Sequence, residues 1–282
     1  MASLLRSGIG AMLLVLAAAS VGCRGFAEQM SGNERPPDTN AQRGDPQAPP
    51  IAHLPFGTPS SATADPANSD DYLVIHDGYT LSYNNSRGTA NWVAWRTSAA
   101  DLGERRERSL FQPDKTLPSG FRQIQYYDYS GSGYDRGHMV PAADRFSDEQ
   151  RMEETFLMTN IVPQTGDLNQ FPWNKLESYS RGIVRSGNDT YTIAGIYGEK
   201  GRLRNKVTIP TNCWKVIVVL PRGSITITER SRIIAVDMPN IDGIQDARWE
   251  TYKTTVREIE QKTGLDIFAS LPQTVQDIIE NQ

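Results

Sequence analysis

The sequence of 282 residues predicts an α+β fold in which a central, mostly antiparallel sheet is flanked by helices. Short runs of aromatic and β-branched residues, such as Tyr72–Ile75 and Tyr79–Tyr83, are separated by turn residues, as expected for strands. The nearly continuous apolar run Cys213–Leu220 is typical of a central strand that is buried on both faces. Residues 169–181 and Trp249–Lys262 instead have the spacing of helices, and the sequence shows no internal repeat.

Residues 1–23 have the features of an export signal in the expected order. Arg6 gives a positive start, Ile9–Ala19 is apolar, and small residues follow. The apolar part is shorter than the roughly 20 residues that a membrane span needs. Ser20–Cys23 resembles a bacterial lipoprotein processing site, so two alternatives remain open: membrane attachment through a lipid on Cys23, or plain cleavage.

Residues 24–69 are predicted to form a flexible, proline-rich tether. Eight of the 17 prolines fall in this segment, which is polar and poor in aromatic residues. Such a composition cannot bury enough apolar surface to offset the entropy lost on ordering the chain. The folded domain is therefore predicted to span residues 70–282.

The remaining elements follow from local patterns. Further strands are predicted at Asn91–Arg96, Gln123–Tyr127, Phe156–Val162, Tyr191–Tyr197, Ile225–Thr228 and Ile233–Asp237. A capping box at Ser147–Gln150 opens a short helix. Pro172 lacks a backbone donor and suits the first turn of a helix, which places the start of the next helix near Leu168 or Asn169.

His138 is the strongest catalytic candidate among the three histidines. Imidazole titrates near neutrality and is a natural general base for activating water. Arg136 beside it suits a phosphate, since its planar fork of donors matches phosphate oxygens. Gly137 permits a sharp turn or a close approach. The alternative is a structural histidine in a strand–loop corner, with Asp135 and Arg136 as a local ion pair.

Two motifs extend this pattern. The stretch Tyr134–Arg145 contains Asp-Arg-Gly-His, and Met158–Glu177 contains Asn-x-x-x-Trp-x-x-Leu-Glu, starting at Asn169. Together they resemble the DNA/RNA non-specific endonuclease family, which includes mitochondrial endonuclease G and exported bacterial sugar-non-specific nucleases. The resemblance runs from about Tyr72 to the C-terminus and implies a ββα-metal (His-Me finger) active-site motif within the α+β fold.

The resemblance also implies roles for individual residues. His138 would activate water, and the side-chain carbonyl of Asn169 would bind one Mg²⁺ or Mn²⁺ ion. Magnesium keeps several waters, so one protein oxygen can suffice as a direct ligand. Glu177 would hold metal-bound waters, and Arg136 and Arg181 would neutralise charge on the phosphate.

Weaker assignments surround these residues. Asp135 would support the site, while Asn160 and Gln164 would shape it and contact substrate; hydrogen bonding in turns and caps is an equally good interpretation of both. A phosphate-binding arginine of the family corresponds here to Glu107, so the resemblance assigns that role to one of its neighbours, Arg106 or Arg108.

Charge and composition exclude several other classes of protein. The 29 basic residues against 33 acidic ones give a formal charge of −4, which predicts a local basic groove with salt-sensitive contacts rather than a basic surface overall. The sequence has no Cys/His cluster for zinc. It also has no Gly-x-Ser-x-Gly motif for a serine hydrolase.

The predicted function is that of an exported, metal-dependent endonuclease. It would hydrolyse single- and double-stranded DNA and RNA with little sequence specificity and leave 5′-phosphate ends. The expected location is the periplasm, the cell exterior or a lipid anchor at the surface, and a protein inhibitor is a further candidate partner. Two alternatives remain open: a non-catalytic nucleic-acid-binding protein at the cell surface, and a phosphodiesterase for small substrates.

Overall fold

The computed structural model of the chain describes residues 53–282, and its main feature is a seven-stranded sheet. The order of the strands is β1-β2-β3-β6-β9-β10-β11, and each pairs antiparallel with its neighbours. The strands are β1 (Tyr72–Ile75), β2 (Thr80–Asn84), β3 (Thr89–Thr97), β6 (Asn188–Tyr197), β9 (Asn212–Pro221), β10 (Arg232–Pro239) and β11 (Lys253–Thr254). Two smaller two-stranded sheets pair β4 (Asp135–His138) with β5 (Ile161–Gln164) and β7 (Arg202–Leu203) with β8 (Val207–Thr208).

Both faces of the large sheet are covered. Side chains alternate along a strand, so Trp92 and Ala94 of β3 enter one hydrophobic cluster while Val93 and Trp95 enter the other. Helix α3 (Asn174–Arg185) packs on the second face, and helices α4 (Val256–Thr263) and α5 (Gln273–Ile279) pack on the first. The predicted α+β fold with an antiparallel central sheet is therefore confirmed, including the central position of β9.

The folded part of the chain begins before the predicted boundary at residue 70. Leu54 and Phe56 are buried beside α4 and α5, and Trp92 donates a hydrogen bond from Nε1 to Ser60 Oγ at 2.9 Å. The average composition of residues 24–69 gave no sign of these two buried side chains, which pack into the hydrophobic cluster on this face of the sheet. The predicted export signal and Cys23 lie outside the described residues.

Several predicted strands take other forms. Residues 126–129 form a 3₁₀ turn, in which Asp128 Oδ2 accepts a hydrogen bond from the backbone of Gln125. Residues 158–160 form another 3₁₀ turn before β5, and residues 225–228 lie in a loop. The short helix α1 (Glu149–Glu154) has Asp148 as its N-cap, which accepts from the backbone of Arg151. The helical prediction for Trp249–Lys262 holds only for α4, which ends at Gly264 with φ 73°.

A ββα unit carries most of the predicted site residues. Strands β4 and β5 pair so that Asp135 faces Gln164 and His138 faces Ile161. The chain then enters a helical segment made of α2 (Gly166–Leu168), a π-helical turn (Asn169–Trp173) and α3.

Within residues 53–282, none of the helices has both the length and the hydropathy of a membrane span.

The helical segment starts earlier than Pro172 indicated. Thr165 is its N-cap and accepts a hydrogen bond from the backbone of Leu168, so Pro172 lies in the second turn. A proline inside a helix removes one backbone donor and crowds the preceding turn. The wider π-helical turn accommodates it, and such turns are frequent at functional sites.

Candidate active site

His138 lies at the end of β4 and forms part of a cleft of about 600 Å³. The cleft is lined by Arg105, Arg106, Glu107, Arg108, His138, Pro141, Ala142, Ala143, Phe146, Met152, Phe156, Asn174, Glu177 and Arg181. Three predicted site residues, His138, Glu177 and Arg181, thus line the same cleft. The ββα unit brings them together because Trp173 Nε1 donates a hydrogen bond to the backbone oxygen of His138 at 3.3 Å.

The imidazole of His138 is held in an apolar setting. Its ring lies 4.9 Å from that of Phe156 and 5.4 Å from that of Phe111, between centroids. Its Nε2 is buried without a hydrogen-bond partner in the described part of the chain. Burial, together with a smaller effect of the positive charge of Arg108, lowers the pKa of His138 to about 3. The ring is therefore neutral at pH 7, which is the form that a general base requires.

Asn169 is oriented by an acid. Its Nδ2 donates to Asp135 Oδ2 at 2.9 Å, and Gln170 Nε2 donates to the same oxygen at 2.8 Å. Because the amide group of Asn169 is engaged in this way, its carbonyl oxygen points elsewhere and remains an acceptor. Asn169 is not among the residues that line the cleft; it lies two turns before Glu177 on the same helical segment.

Both predicted catalytic arginines are fixed by neighbours. Arg136 donates from Nε and Nη2 to the backbone oxygen of Tyr126, and its guanidinium lies 5.6 Å from the ring of Phe111. Arg181 pairs with Asp144, with Nη1 and Oδ1 3.1 Å apart. Asp144 is held in turn by Trp95 Nε1 at 3.0 Å. These contacts therefore hold each guanidinium group in a defined position.

Glu177 is paired with a lysine from the large sheet. Its Oε1 lies 3.5 Å from Nζ of Lys215, and the side chain is 11% exposed. Burial raises the pKa of Glu177, while the positive charges of Lys215 and Arg181 oppose that rise. The site therefore contains a buried carboxylate whose charge depends on its neighbours.

Asn160 and Gln164 are not among the residues that line the cleft. Asn160 is fully buried: Oδ1 accepts from the backbone of Val140, and Nδ2 donates to the backbone oxygens of Val140 and Thr155. These bonds fix the chain after His138. Gln164 is also fully buried. Their assignment as substrate contacts stays a prediction, and the hydrogen bonds of Asn160 match the structural alternative.

Gly137 is required by the side chain of Gln164. A Cβ on Gly137 would lie 2.0 Å from Gln164 Oε1 and 2.5 Å from its Cδ, so close approach, rather than a sharp turn, explains this glycine. We expect Gly137→Ala to lower the free energy of unfolding by about 1–3 kcal/mol, the usual cost of overpacking, as measured by urea denaturation.

Gly182→Ala provides the control for that measurement. Gly182 lies in α3 and is exposed, and no atom lies within 4 Å of a Cβ placed there. Alanine is favoured over glycine in a helix interior by about 0.5–1 kcal/mol, so this variant should become slightly more stable. Equal stability of the two variants would contradict the role of Gln164.

The structure separates the two candidate phosphate-binding arginines. Arg106 Nε donates to the backbone oxygen of Phe146 at 2.5 Å, and its Nη2 donates to that of Ser147 at 3.3 Å. Arg106 is thus occupied in holding a loop. Arg108 is exposed, lines the cleft and acts electrostatically on His138, which makes it the better candidate.

Two residues of the site were missed by the sequence analysis. Asp144 lies in the same motif as His138, and its acidic side chain could have been matched with Arg181. Lys215 is the more informative omission: a lysine inside the apolar run Cys213–Leu220 is unusual, since a buried lysine needs a partner. A lysine in such a strand indicates that an acidic side chain from a neighbouring element is buried beside it.

Comparisons with known proteins agree with this geometry. Residues 57–274 match the family model for DNA/RNA non-specific endonucleases. A nuclease from Nostoc sp. (strain PCC 7120 / SAG 25.82 / UTEX 2576) is 44% identical over 234 residues, which cover 82% of this chain and 85% of that protein. Nuclease C1 from Cunninghamella echinulata var. echinulata is 32% identical, with 73% of this chain and 86% of that protein covered.

The fold has a counterpart among solved structures. A chain in the crystal structure of the EndoG/EndoGI complex matches with a TM-score of 0.66 and 24% identity, covering 78% of this chain and 91% of that one. This match supports the ββα-metal fold. Because the family model spans most of the sequence and a nuclease is 44% identical, the chain belongs to the DNA/RNA non-specific endonuclease family and is a phosphodiester-hydrolysing nuclease.

Proposed function

We propose that this nuclease is an exported enzyme that cuts both DNA and RNA, single- or double-stranded, through a divalent metal ion and leaves 5′-phosphate ends. The observation that carries the proposal is the cleft in which His138, Glu177 and Arg181 meet. A neutral imidazole, a carboxylate and a fixed cation are the groups that hydrolysis of a phosphodiester needs around it.

His138 is the general base of the proposed reaction. Its Nε2 is enclosed, so Nδ1 is the nitrogen that accepts the proton from an attacking water. The lowered pKa of His138 keeps this nitrogen unprotonated at neutral pH. Removing the proton as the water attacks phosphorus avoids a free hydroxide, and this assistance accelerates hydrolysis.

The donor set fits a hard divalent cation. Asp135 engages the amide nitrogen of Asn169 and leaves a carbonyl oxygen, and Glu177 offers a carboxylate along the same helical segment. Oxygen donors of this kind suit Mg²⁺ or Mn²⁺; Asn169 would be the direct ligand, and Glu177 would hold waters of the ion. When bound, the ion supplies Lewis acidity that stabilises charge on the phosphate and the leaving oxygen.

The cations of the cleft explain the proposed tolerance of sequence and sugar. Arg181 and Arg108 line the cleft, and Arg136 lies on the same strand as His138. Guanidinium groups bind phosphate oxygens, which are the same in every nucleotide. Contacts of this kind position the backbone and carry no base information, so cleavage depends little on sequence.

The proposal is tested by digesting supercoiled plasmid and long RNA with purified protein in Mg²⁺, Mn²⁺ or EDTA. We expect both substrates to be degraded with either metal and spared with EDTA, and we expect the products to be ligatable without prior phosphorylation. Persistent gel retardation in EDTA without cleavage in metal would instead indicate a binding protein. Turnover confined to a chromogenic small phosphodiester would indicate a different substrate class.

Arg108→Ala should weaken substrate binding without abolishing cleavage. Loss of one phosphate contact is expected to raise KM and to reduce the slope of log affinity against log salt by about one. The measurement is KM for long duplex DNA at several salt concentrations. Arg222→Ala removes an equal charge from an exposed position outside the cleft, and it should leave KM and the slope unchanged.

Export and anchoring form the remaining part of the proposal. Residues 1–23 have the composition of an export signal, and labelling of cells with radioactive palmitate compares the natural chain with Cys23→Ser. Label in the natural chain alone supports a lipid on Cys23, and label in neither supports plain cleavage. EndoG is inhibited in the EndoG/EndoGI complex, so we extend to this nuclease the proposal of a protein inhibitor.

A further inference from the structure

Lys215 is a buried cation within the central strand β9. It is 2% exposed, and its position in the strand places it on the sheet face that α3 covers. Its Nζ lies 4.0 Å from the ring centroid of Trp173 and 5.5 Å from that of Trp95. Two indole rings therefore flank an ammonium that water does not reach.

Burying a charged lysine costs free energy unless an opposite charge nearby offsets that cost. Burial lowers the pKa of Lys215, and the negative charge of Glu177 is the main effect that opposes this. In the part of the chain that the structure describes, Glu177 forms its only ion pair with Lys215. Arg181 is engaged with Asp144 and Ser178 instead. Among the described residues, Lys215 and Glu177 therefore form an ion pair that neither shares with another residue.

The geometry also fixes where the carboxylate lies. Glu177 projects from α3 into the cleft, while Lys215 approaches it from the sheet beneath, across the ring of Trp173. Trp173 also donates a hydrogen bond from Nε1 to the backbone oxygen of His138. Lys215 therefore touches both the acid and the aromatic residue that links the helix to the catalytic histidine.

We propose that Lys215 is a positioning residue of the nuclease site, which holds the Glu177 carboxylate fixed in the cleft through a direct ion pair. The inference rests on the proposed role of Glu177 in cleavage. Lys215 itself touches neither substrate nor water in the reaction; it acts through its partner. Its effect on cleavage must therefore disappear when the carboxylate is absent.

A double-mutant cycle measures this dependence. The proteins are the natural chain, Glu177→Gln, Lys215→Met, the double variant and Lys215→Arg. Methionine has a side chain of similar length to lysine but no charge. If Lys215→Met folds poorly because Glu177 is left unpaired, the double variant, which has neither charge, still reports on the pair. Thermal unfolding of each protein and its Mn²⁺ affinity by calorimetry accompany kcat and KM.

We expect Lys215→Met to lower kcat by about 10–100-fold, the usual effect of losing a group that supports a metal site, with KM little changed and Mn²⁺ bound more weakly. In the Glu177→Gln background the same change should cost less than threefold. Lys215→Arg, which keeps the charge, should recover part of kcat. Lys253→Met removes a lysine that lies 5.5 Å from the ring of Trp249 and should leave kcat unchanged.

Two outcomes overturn the inference. One is a cleavage rate in Lys215→Met equal to that of the wild-type protein. The other is an equal loss of kcat with and without the Glu177 carboxylate, which would indicate that Lys215 serves the fold alone. A natural chain that cuts no nucleic acid overturns the proposed function itself, together with the inference that rests on it, and is recognised in the same assay.

Discussion

Replacement of His138 by alanine is expected to slow plasmid nicking by about 10²–10⁴-fold, the range that a positioned general base contributes. His138 is the imidazole that lines the cleft, and burial keeps its pKa at about 3. Without it, the attacking water must lose its proton to solvent. The rate is measured in single turnover with metal and enzyme in excess, so that substrate binding does not limit it.

The control for this prediction is His53→Ala. His53 lies outside the cleft. Its Nδ1 accepts a hydrogen bond from the backbone of Arg96, and its Nε2 donates one to the backbone oxygen of Asp77. That variant should keep its cleavage rate. Added imidazole should restore part of the activity of His138→Ala, because the change leaves a space beside Phe156. Natural rates in His138→Ala would contradict the assignment of the base.

Asn169→Ala is expected to lower the cleavage rate by at least about 10²-fold and to weaken metal binding, since loss of a direct ligand should exceed the roughly 10–100-fold cost of losing an outer group. The variant removes the carbonyl oxygen that Asp135 leaves free. The measurement is the rate as a function of Mg²⁺ and Mn²⁺ concentration, together with calorimetric titration of Mn²⁺.

Gln170→Ala is a closely matched control for Asn169. Gln170 is adjacent, is exposed and donates to the same Asp135 oxygen, so its loss removes an equivalent hydrogen bond without a metal ligand. We expect that variant to cleave within a fewfold of the natural rate. A similar loss in both variants would indicate that the polar cluster around Asp135, and not a metal ligand, explains the effect.

The fold was predictable where local pattern and tertiary packing agree. Tyr72–Ile75 was located to the residue, and the apolar run of β9 was correctly predicted as an interior strand, which lies between β6 and β10. The prediction failed where few residues decide the outcome. Leu54 and Phe56 anchor a segment whose average composition resembles a linker, and Pro172 lies in a π-helical turn that no propensity indicates.

The sequence predicted candidate site residues but not the residues that support them. His138 and Glu177 of the paired motifs line one cleft, whereas Asn169 is not part of its lining and its metal role stays a prediction. Lys215 comes from a strand about 40 residues further along, and spacing along a chain does not reveal such a neighbour. The burial of Asn160 likewise follows from tertiary contacts.

The measurement that tests the central claim most directly is the broadening of NMR signals by bound Mn²⁺ in the natural protein. If His138 and Asn169 flank one bound ion, sub-stoichiometric Mn²⁺ broadens the imidazole signals of His138 and the side-chain amide signal of Asn169 first, and Asn169→Ala abolishes the effect on His138. Sharp His138 signals, with broadening concentrated at the acidic group of Glu260, Asp266 and Glu280, would contradict the account.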